Sequence, residues 1–209
     1  MASTGRVGRP PAADSAETRR RILHAARIHF ARDGYRATTN RRIADDVGIT
    51  PGAIYHYVES KAELYAAVYC DTVDSVYTEF ELAVVGHEDL LSQFSAVLWR
   101  ACDLQTADPS ITGFIVAVAH ETQRHPDLLV LLSPQRGRHI RFFTELVEAA
   151  AQNGELRPDV DRRALADLLG AVLTGLARMA ASAGDPQRYT AAVEVLDRFF
   201  DGSLVASRS

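Results

Sequence analysis

Apolar positions recur at three- and four-residue spacing along most of the chain, the period of helices that bury one face. The pattern predicts about nine helices, near residues 16–33, 40–47, 51–57, 61–84, 89–104, 110–124, 127–152, 160–182 and 187–202. Between them lie helix-breaking clusters: Gly86-His87-Glu88-Asp89, Asp108-Pro109, His125-Pro126, Asn153-Gly154, Arg157-Pro158-Asp159 and Gly184-Asp185-Pro186. Ser133-Pro134 and Gly137 predict a split or a kink in the seventh helix, with its regular part starting near Arg136. No internal repeat is present, and the expected class is all-α.

The first 15 residues carry Gly, Pro, Ala and Arg without periodicity and are expected to be a flexible basic arm. Arg6 and Arg9 on it suit phosphates or a minor groove, with a tail that makes no specific contact as the favoured alternative. Asp14 or Ser15 then caps the first helix, whose buried stripe is Leu23, Ala26 and Phe30. Gly34 ends it, and Tyr35 is expected to fold back onto the same unit.

Residues 38–61 have the strongest local signals. Ile43, Ala44 and Val47 give a short amphipathic helix, with Thr39 as its N-cap and Gly48 as its left-handed stop. Thr50-Pro51 restarts a helix with a capping hydroxyl and a residue whose fixed φ suits the first turn. Helix, tight turn, helix is the helix-turn-helix arrangement. In the second helix, Ile54 and Val58 can anchor inward. Gly52, Ala53, Tyr55, His56 and much of Tyr57 are left facing out, a surface that can enter a DNA major groove. Ser60 to Glu63 reads as a capping box for the next helix, with Lys61 in its first turn near a phosphate.

The run TTNRRIADDVGITPGAIYHYVESKAELYAAV closely resembles the DNA-binding region of TetR-family transcriptional regulators. The resemblance reaches back to about Glu17 and covers roughly a quarter of the chain. It implies three helices over residues 16–62 that bind DNA, followed by a helical ligand-binding and dimerisation domain over residues 63–204 and a tail at 205–209. It further implies a homodimer on a near-palindromic operator, released by a small-molecule effector. The residues expected at DNA are Thr39, Arg42, Thr50, Pro51, Gly52, Ala53, Tyr55, His56, Tyr57 and Lys61. Ala53 offers only a methyl group to a base edge, and His56 stands where the family often has an aromatic residue.

Charge sharpens the division. Residues 1–61 hold ten Arg and one Lys against six acids, a net of +5, whereas residues 62–209 have a net of −9. A basic front and an acidic back suit a protein that presents one end to a polyanion. The N-terminus has no apolar signal segment, and the longest apolar runs read as too interrupted by charge to span a membrane. Cys70 and Cys102 are too few for a disulfide framework or a metal site, so a reduced cytoplasm is expected.

Tyr69, Tyr77, Phe94, Leu98, Trp99, Cys102, Phe114, Val118, His120, Phe142, Phe143 and Leu146 are candidates to line an apolar effector cavity, with a plain hydrophobic core as the alternative for each. Such a lining suits a hydrophobic or aromatic effector. The last two helices carry more apolar perimeter than one core needs. Leu165, Leu169, Val172, Leu176, Val193, Leu196 and Phe200 are expected in a four-helix dimer bundle, with an intrachain bundle as the alternative.

His120 and His125 invite a metal reading, but five residues place them about 140° apart on a helix of about 100° per residue. No nucleophile–base pair, phosphate-binding glycine loop or C-x-x-C is present, so neither an enzyme nor a cofactor is read. Two competing classes remain: a nonspecific DNA-compacting protein, which would leave no preferred footprint, and an enzyme built on the back domain, which turnover in a substrate screen would reveal.

Overall fold

The computed structural model describes residues 12–183 and 186–204. Among them it contains nine helices and no strand: α1 (Ala12–Ala37), α2 (Asn40–Val47), α3 (Pro51–Ile54), α4 (Lys61–Ala83), α5 (Leu90–Ala107), α6 (Pro109–Arg124), α7 (Pro126–Gln152), α8 (Arg162–Ala183) and α9 (Pro186–Phe200). Helix α1 begins ahead of the expected residue 16, so Asp14 and Ser15 lie inside it rather than capping it. Ala12 and Ala13 are strong helix formers, which favours the earlier start. Arg6 and Arg9 of the expected arm, and the expected tail from residue 205, lie outside the described residues.

Gly34 ends the regular part of α1 as expected, at φ 79° and ψ 171°, a non-helical conformation close to glycine-only, and the chain bends there. One further turn follows, and Thr38 Oγ1 closes it by donating to the Gly34 carbonyl at 2.8 Å. Thr39 caps α2, its hydroxyl accepting the Arg42 N–H at 3.4 Å, and Gly48 ends α2 in the left-handed region. Ser60 caps α4 by accepting the Glu63 N–H at 3.1 Å, while the Glu63 carboxylate reaches back to the Glu59 N–H at 2.8 Å.

The expected split in α7 is absent; the helix runs unbroken across Pro134, and its regular part starts at Pro126 rather than near residue 136. Proline removes the N–H that would bond the Val130 carbonyl, and the Ser133 hydroxyl fills that place, donating to Val130 O at 2.8 Å.

Two apolar cores result. The first gathers Ile22, Leu23 and Phe30 of α1, Ile43 and Val47 of α2, Ile54 of α3, and Leu64, Tyr65 and Val68 of α4. It also takes in Phe114 and Val118 of α6 and Leu128 and Leu132 of α7. The domain boundary expected at residue 62 therefore falls inside a continuous core, and α1 packs extensively on α6. The second core joins the rest of α4 to α5, α7, α8 and α9.

The expectation that no apolar run reaches membrane-span length does not hold for α8. Arg162–Ser182 is long and apolar enough by length and composition, because Asp167 and Arg178 are the only charges within residues 164–182. Only 28% of its most apolar window is buried within the chain.

Candidate nucleic-acid interface and internal cavity

Helix α3 is held from beneath. Ile54 is wholly buried, and Val58 closes the same face. The regular helix is shorter than the expected 51–57, ending at Ile54. The chain continues in tighter turns, with the Tyr55 N–H bonded to Gly52 O and the His56 N–H to Ala53 O, both at 3.2 Å. Thr50 has the extended backbone of an N-cap, but its side chain makes no capping bond.

With Ile54 as anchor, Thr50, Pro51, Gly52, Tyr55 and His56 are exposed, and Ala53 and Tyr57 are half-buried at the edge. Tyr55 is 56% exposed. A Cβ added at Gly52 would meet nothing within 4 Å, so another molecule can approach the backbone closely there.

Helix α2 is pinned to α1 by polar contacts. His29 is buried, with Nε2 2.7 Å from the Asp46 carboxylate, and Arg21 donates to the Val47 carbonyl at 2.5 Å. The exposed Arg42 pairs with Asp33 at 3.1 Å. Asp33 also accepts from Arg32, and that bond first of all holds its carboxyl well below the usual range.

Lys61, expected at a phosphate, has partners within the chain itself. Its ammonium donates to the carbonyls of Arg36 at 3.2 Å and Thr38 at 3.0 Å, and lies 4.6 Å from the centre of the Tyr35 ring. The last turn of α1 exposes carbonyls that attract a cation, and Lys61 reaches them first. Burial lowers its pKa.

Beyond this unit, α4 to α9 line a cavity of about 430 Å³, with α5 contributing Ala101 and Leu104. Tyr69, Val73, Val76, Tyr77 and Phe80 of α4 line one side. Ile111, Ile115, Val118 and Thr122 of α6 line another, with Gln135 and His139 of α7, Leu173, Thr174 and Arg178 of α8, and Tyr189 of α9. The Tyr77 hydroxyl and His139 Nδ1 are 2.5 Å apart. Burial raises the Tyr77 pKa and lowers that of His139.

Of the cavity residues expected from sequence, Tyr69, Tyr77 and Val118 line it. Phe94, Leu98, Cys102, Phe142, Phe143 and Leu146 do not; they fill the second core. Phe114 belongs to the first core, 5.0 Å from the Tyr65 ring. Trp99 faces α9, where its indole N–H donates to Asp197 at 2.5 Å beside the Ser95 hydroxyl at 2.6 Å. Those two bonds turn the aromatic side of α5 away from the cavity. His120 is exposed, and His125 packs on Tyr35 at 5.0 Å between ring centres. Missed were Gln135 and His139, whose signal was two polar residues one helical turn apart, and Arg178, which stands one turn after Thr174.

The outer faces of α8 and α9 form an apolar groove containing Val172, Gly175, Leu176, Val195, Leu196 and Phe199. Of the expected interface residues, Val172, Leu176 and Leu196 line it, while Leu165 and Phe200 are partly buried against the second core. Leu169 and Val193 are buried inside the chain. Two apolar stripes run along α8; Leu169 is on the inner one, whereas the outer one includes Leu168, 57% exposed.

Comparisons with known proteins agree with this geometry. Residues 22–68 match the family described as bacterial regulatory proteins, tetR family, and residues 91–205 match the C-terminal domain of the BetI-type transcriptional repressor. The HTH-type transcriptional regulator UidR of Escherichia coli is 26% identical over 200 residues, 93% of this chain and 96% of that protein. The HTH-type transcriptional repressor KstR2 of Rhodococcus jostii is 28% identical over 158 residues, 73% of this chain and 76% of its own. Among solved structures, a TetR transcriptional regulator from Chloroflexus aurantiacus superposes with a TM-score of 0.75 at 25% identity, covering 90% of this chain and 96% of its own. The fold is also that of the regulator FadR from Bacillus subtilis in complex with stearoyl-CoA, with a TM-score of 0.72 at 14% identity over 90% of this chain and 99% of that one. A buried anchor beneath an outward-facing helix start, joined through α4 to a helical body, thus belongs to a helix-turn-helix transcriptional regulator, and the chain is a member of the TetR family.

Proposed function

We propose that this regulator is a repressor that binds a near-palindromic operator as a homodimer in the cytoplasm and leaves it when a small hydrophobic or aromatic effector enters the cavity. It acts by binding rather than by catalysis. The observation that carries the reading is the pairing of Ile54, wholly buried, with the adjacent Tyr55, exposed: α3 is fixed from below and free above. Two such helices in successive major grooves would read two half-sites about one helical turn apart. Tyr55 and Tyr57, with Gly52 and Ala53 at the helix start, are the groups for bases and sugars. Thr39, Arg42 and Thr50, with the His56 ring, are the groups for the backbone, and Pro51 sets the helix start beside them.

Support for dimerisation comes from the apolar groove on α8 and α9, because a second copy would cover a surface this chain leaves open. Support for effector control comes from two helices that serve both regions. Helix α4 carries Tyr65 in the first core and Val73 on the cavity; α6 carries Phe114 in the first core and Ile115 on the cavity. A ligand that fits only one arrangement of these helices shifts the population. A hundredfold loss of operator affinity needs only about 2.7 kcal/mol of coupling.

Genome-wide mapping of bound sites, followed by footprinting, tests the reading. Discrete near-palindromic protected sites are expected. Even coverage of the chromosome, with affinity that tracks salt alone, would show a nonspecific DNA binder instead.

A further inference from the structure

The cavity is charged at one edge only. Its deep side is α4, where Val73, Val76, Tyr77 and Phe80 are buried. The most exposed lining residues are Ala119 of α6 and Thr174 and Arg178 of α8, which marks a mouth between those two helices. The polar tips on the deep side satisfy one another through the bond between Tyr77 and His139, so an apolar body meets no unfilled demand there. At the mouth, Arg178 makes no ion pair among the described residues. No lining residue is an Asp or Glu, and Asp74, which Gln135 approaches at 3.5 Å, is already paired with Arg138 at 2.9 Å.

We infer that the effector is an apolar acid, its body inserted toward α4 and its carboxylate held by Arg178 at the mouth between α6 and α8. This rests on the reading that the cavity is the effector site. A planar guanidinium offers paired donors that match a carboxylate, and its bond to an ion is stronger than one to a neutral group. Thr174, one helical turn earlier on the same rim, adds a hydroxyl beside it. An ammonium group entering the same mouth would find no carboxylate on the lining and would face a like charge.

Decanoic acid, decan-1-ol and decylamine are matched probes, with one apolar body and three head groups. Their binding to the full chain is measured at neutral pH by calorimetry, with wild type, Arg178→Gln, Arg178→Lys and a cavity-filling Ala177→Trp. The acid should bind wild type about tenfold or more tighter than the alcohol, the size of one charge-assisted contact, and the amine weakest. Arg178→Gln should remove that preference while leaving the alcohol unchanged, which also shows that the variant is folded, and Arg178→Lys should restore part of it. Equal binding of acid and alcohol to wild type, or equal weakening of both by Arg178→Gln, overturns the inference. If the alcohol binds and Ala177→Trp excludes it, the cavity reading survives that loss. If no probe binds wild type, both readings fall.

Discussion

The backbone N–H of Tyr35 donates to Glu121 Oε1 at 3.3 Å. The bond joins the turn after the Gly34 bend in α1 to the last turns of α6. The same Glu121 oxygen lies 2.9 Å from where a Cβ on Gly34 would sit. Thr122, next along α6, lines the cavity, so one helix end touches both the cavity and the support of the DNA-reading unit.

Gly34→Ala should therefore destabilise the fold in two ways. Its φ and ψ are unfavourable for any side chain, by about 1–3 kcal/mol, and the new methyl meets the carboxylate. Glu121→Ala alone leaves the Tyr35 N–H without its partner, at about 1–3 kcal/mol. In urea unfolding the double variant should lose less than the sum of the two singles, because removing the carboxylate relieves the crowding and leaves only backbone strain. Strict additivity would mean that the two residues do not act on each other.

Neighbouring residues on α3 should separate binding from folding. Tyr55→Ala is expected to weaken operator binding by on the order of 1–3 kcal/mol with the melting temperature unchanged. Ile54→Ala is expected to lower stability by about 2–5 kcal/mol, because it opens a hole in the first core. A stability loss from Tyr55→Ala as large as that from Ile54→Ala would contradict an outward-facing Tyr55.

Lys61 gives the opposite contrast. Its ammonium holds two carbonyls of the α1 terminus and the Tyr35 ring, so Lys61→Ala should lower stability by about 1–2 kcal/mol. The dependence of operator affinity on salt should keep its slope, whereas loss of a phosphate contact would reduce that slope by about one. Gel shifts over a salt series distinguish the two.

His139 sets a pH dependence whose sign follows from its burial. Its pKa in the folded chain lies below the ordinary value of 6.5. Below pH 6.5 the unfolded chain takes up a proton that the cavity refuses, so stability falls on acidification until the folded-state pKa is passed. Well above pH 6.5 this residue is neutral in both states and contributes no slope. The stability difference between wild type and His139→Asn, followed by urea unfolding across pH, should be level at high pH and shift against wild type as the pH drops. A constant difference would show that the imidazole does not titrate differently on folding.

Helix order, the helix-turn-helix and its anchor were readable because each rests on local signals: caps at Thr39 and Ser60, the stop at Gly48, and the four-residue step from Ile54 to Val58. The cavity was much less so. An aromatic residue on a helix face looks the same in sequence whether it fills a core, as Phe94 does, or lines a space, as Tyr77 does. What decides is the rotation of each helix against its neighbours, and for α5 that was set by bonds from Ser95 and Trp99 to Asp197, about a hundred residues away. Similarly, Lys61 was assigned to a phosphate because the carbonyls that hold it are brought near only by folding.

The outer stripe of α8 and α9 should break the dimer without breaking the chain. Phe199 is 63% exposed and Val195 51%, and both line the open groove. Burying each against a second copy would contribute about 1.5–3 kcal/mol, and two-fold symmetry counts each contact twice. A Glu at position 199 would bring a charge from each copy into that apolar surface, which opposes association while leaving the intrachain core untouched. Wild type is expected to sediment as a dimer at micromolar concentration and Phe199→Glu as a folded monomer. Leu169→Glu, on the buried inner stripe one residue from Leu168, should instead unfold the helical body, with far-ultraviolet circular dichroism lost at lower temperature. A wild-type monomer would remove the dimer from the account, and a dimer that survives Phe199→Glu would place the interface on another face.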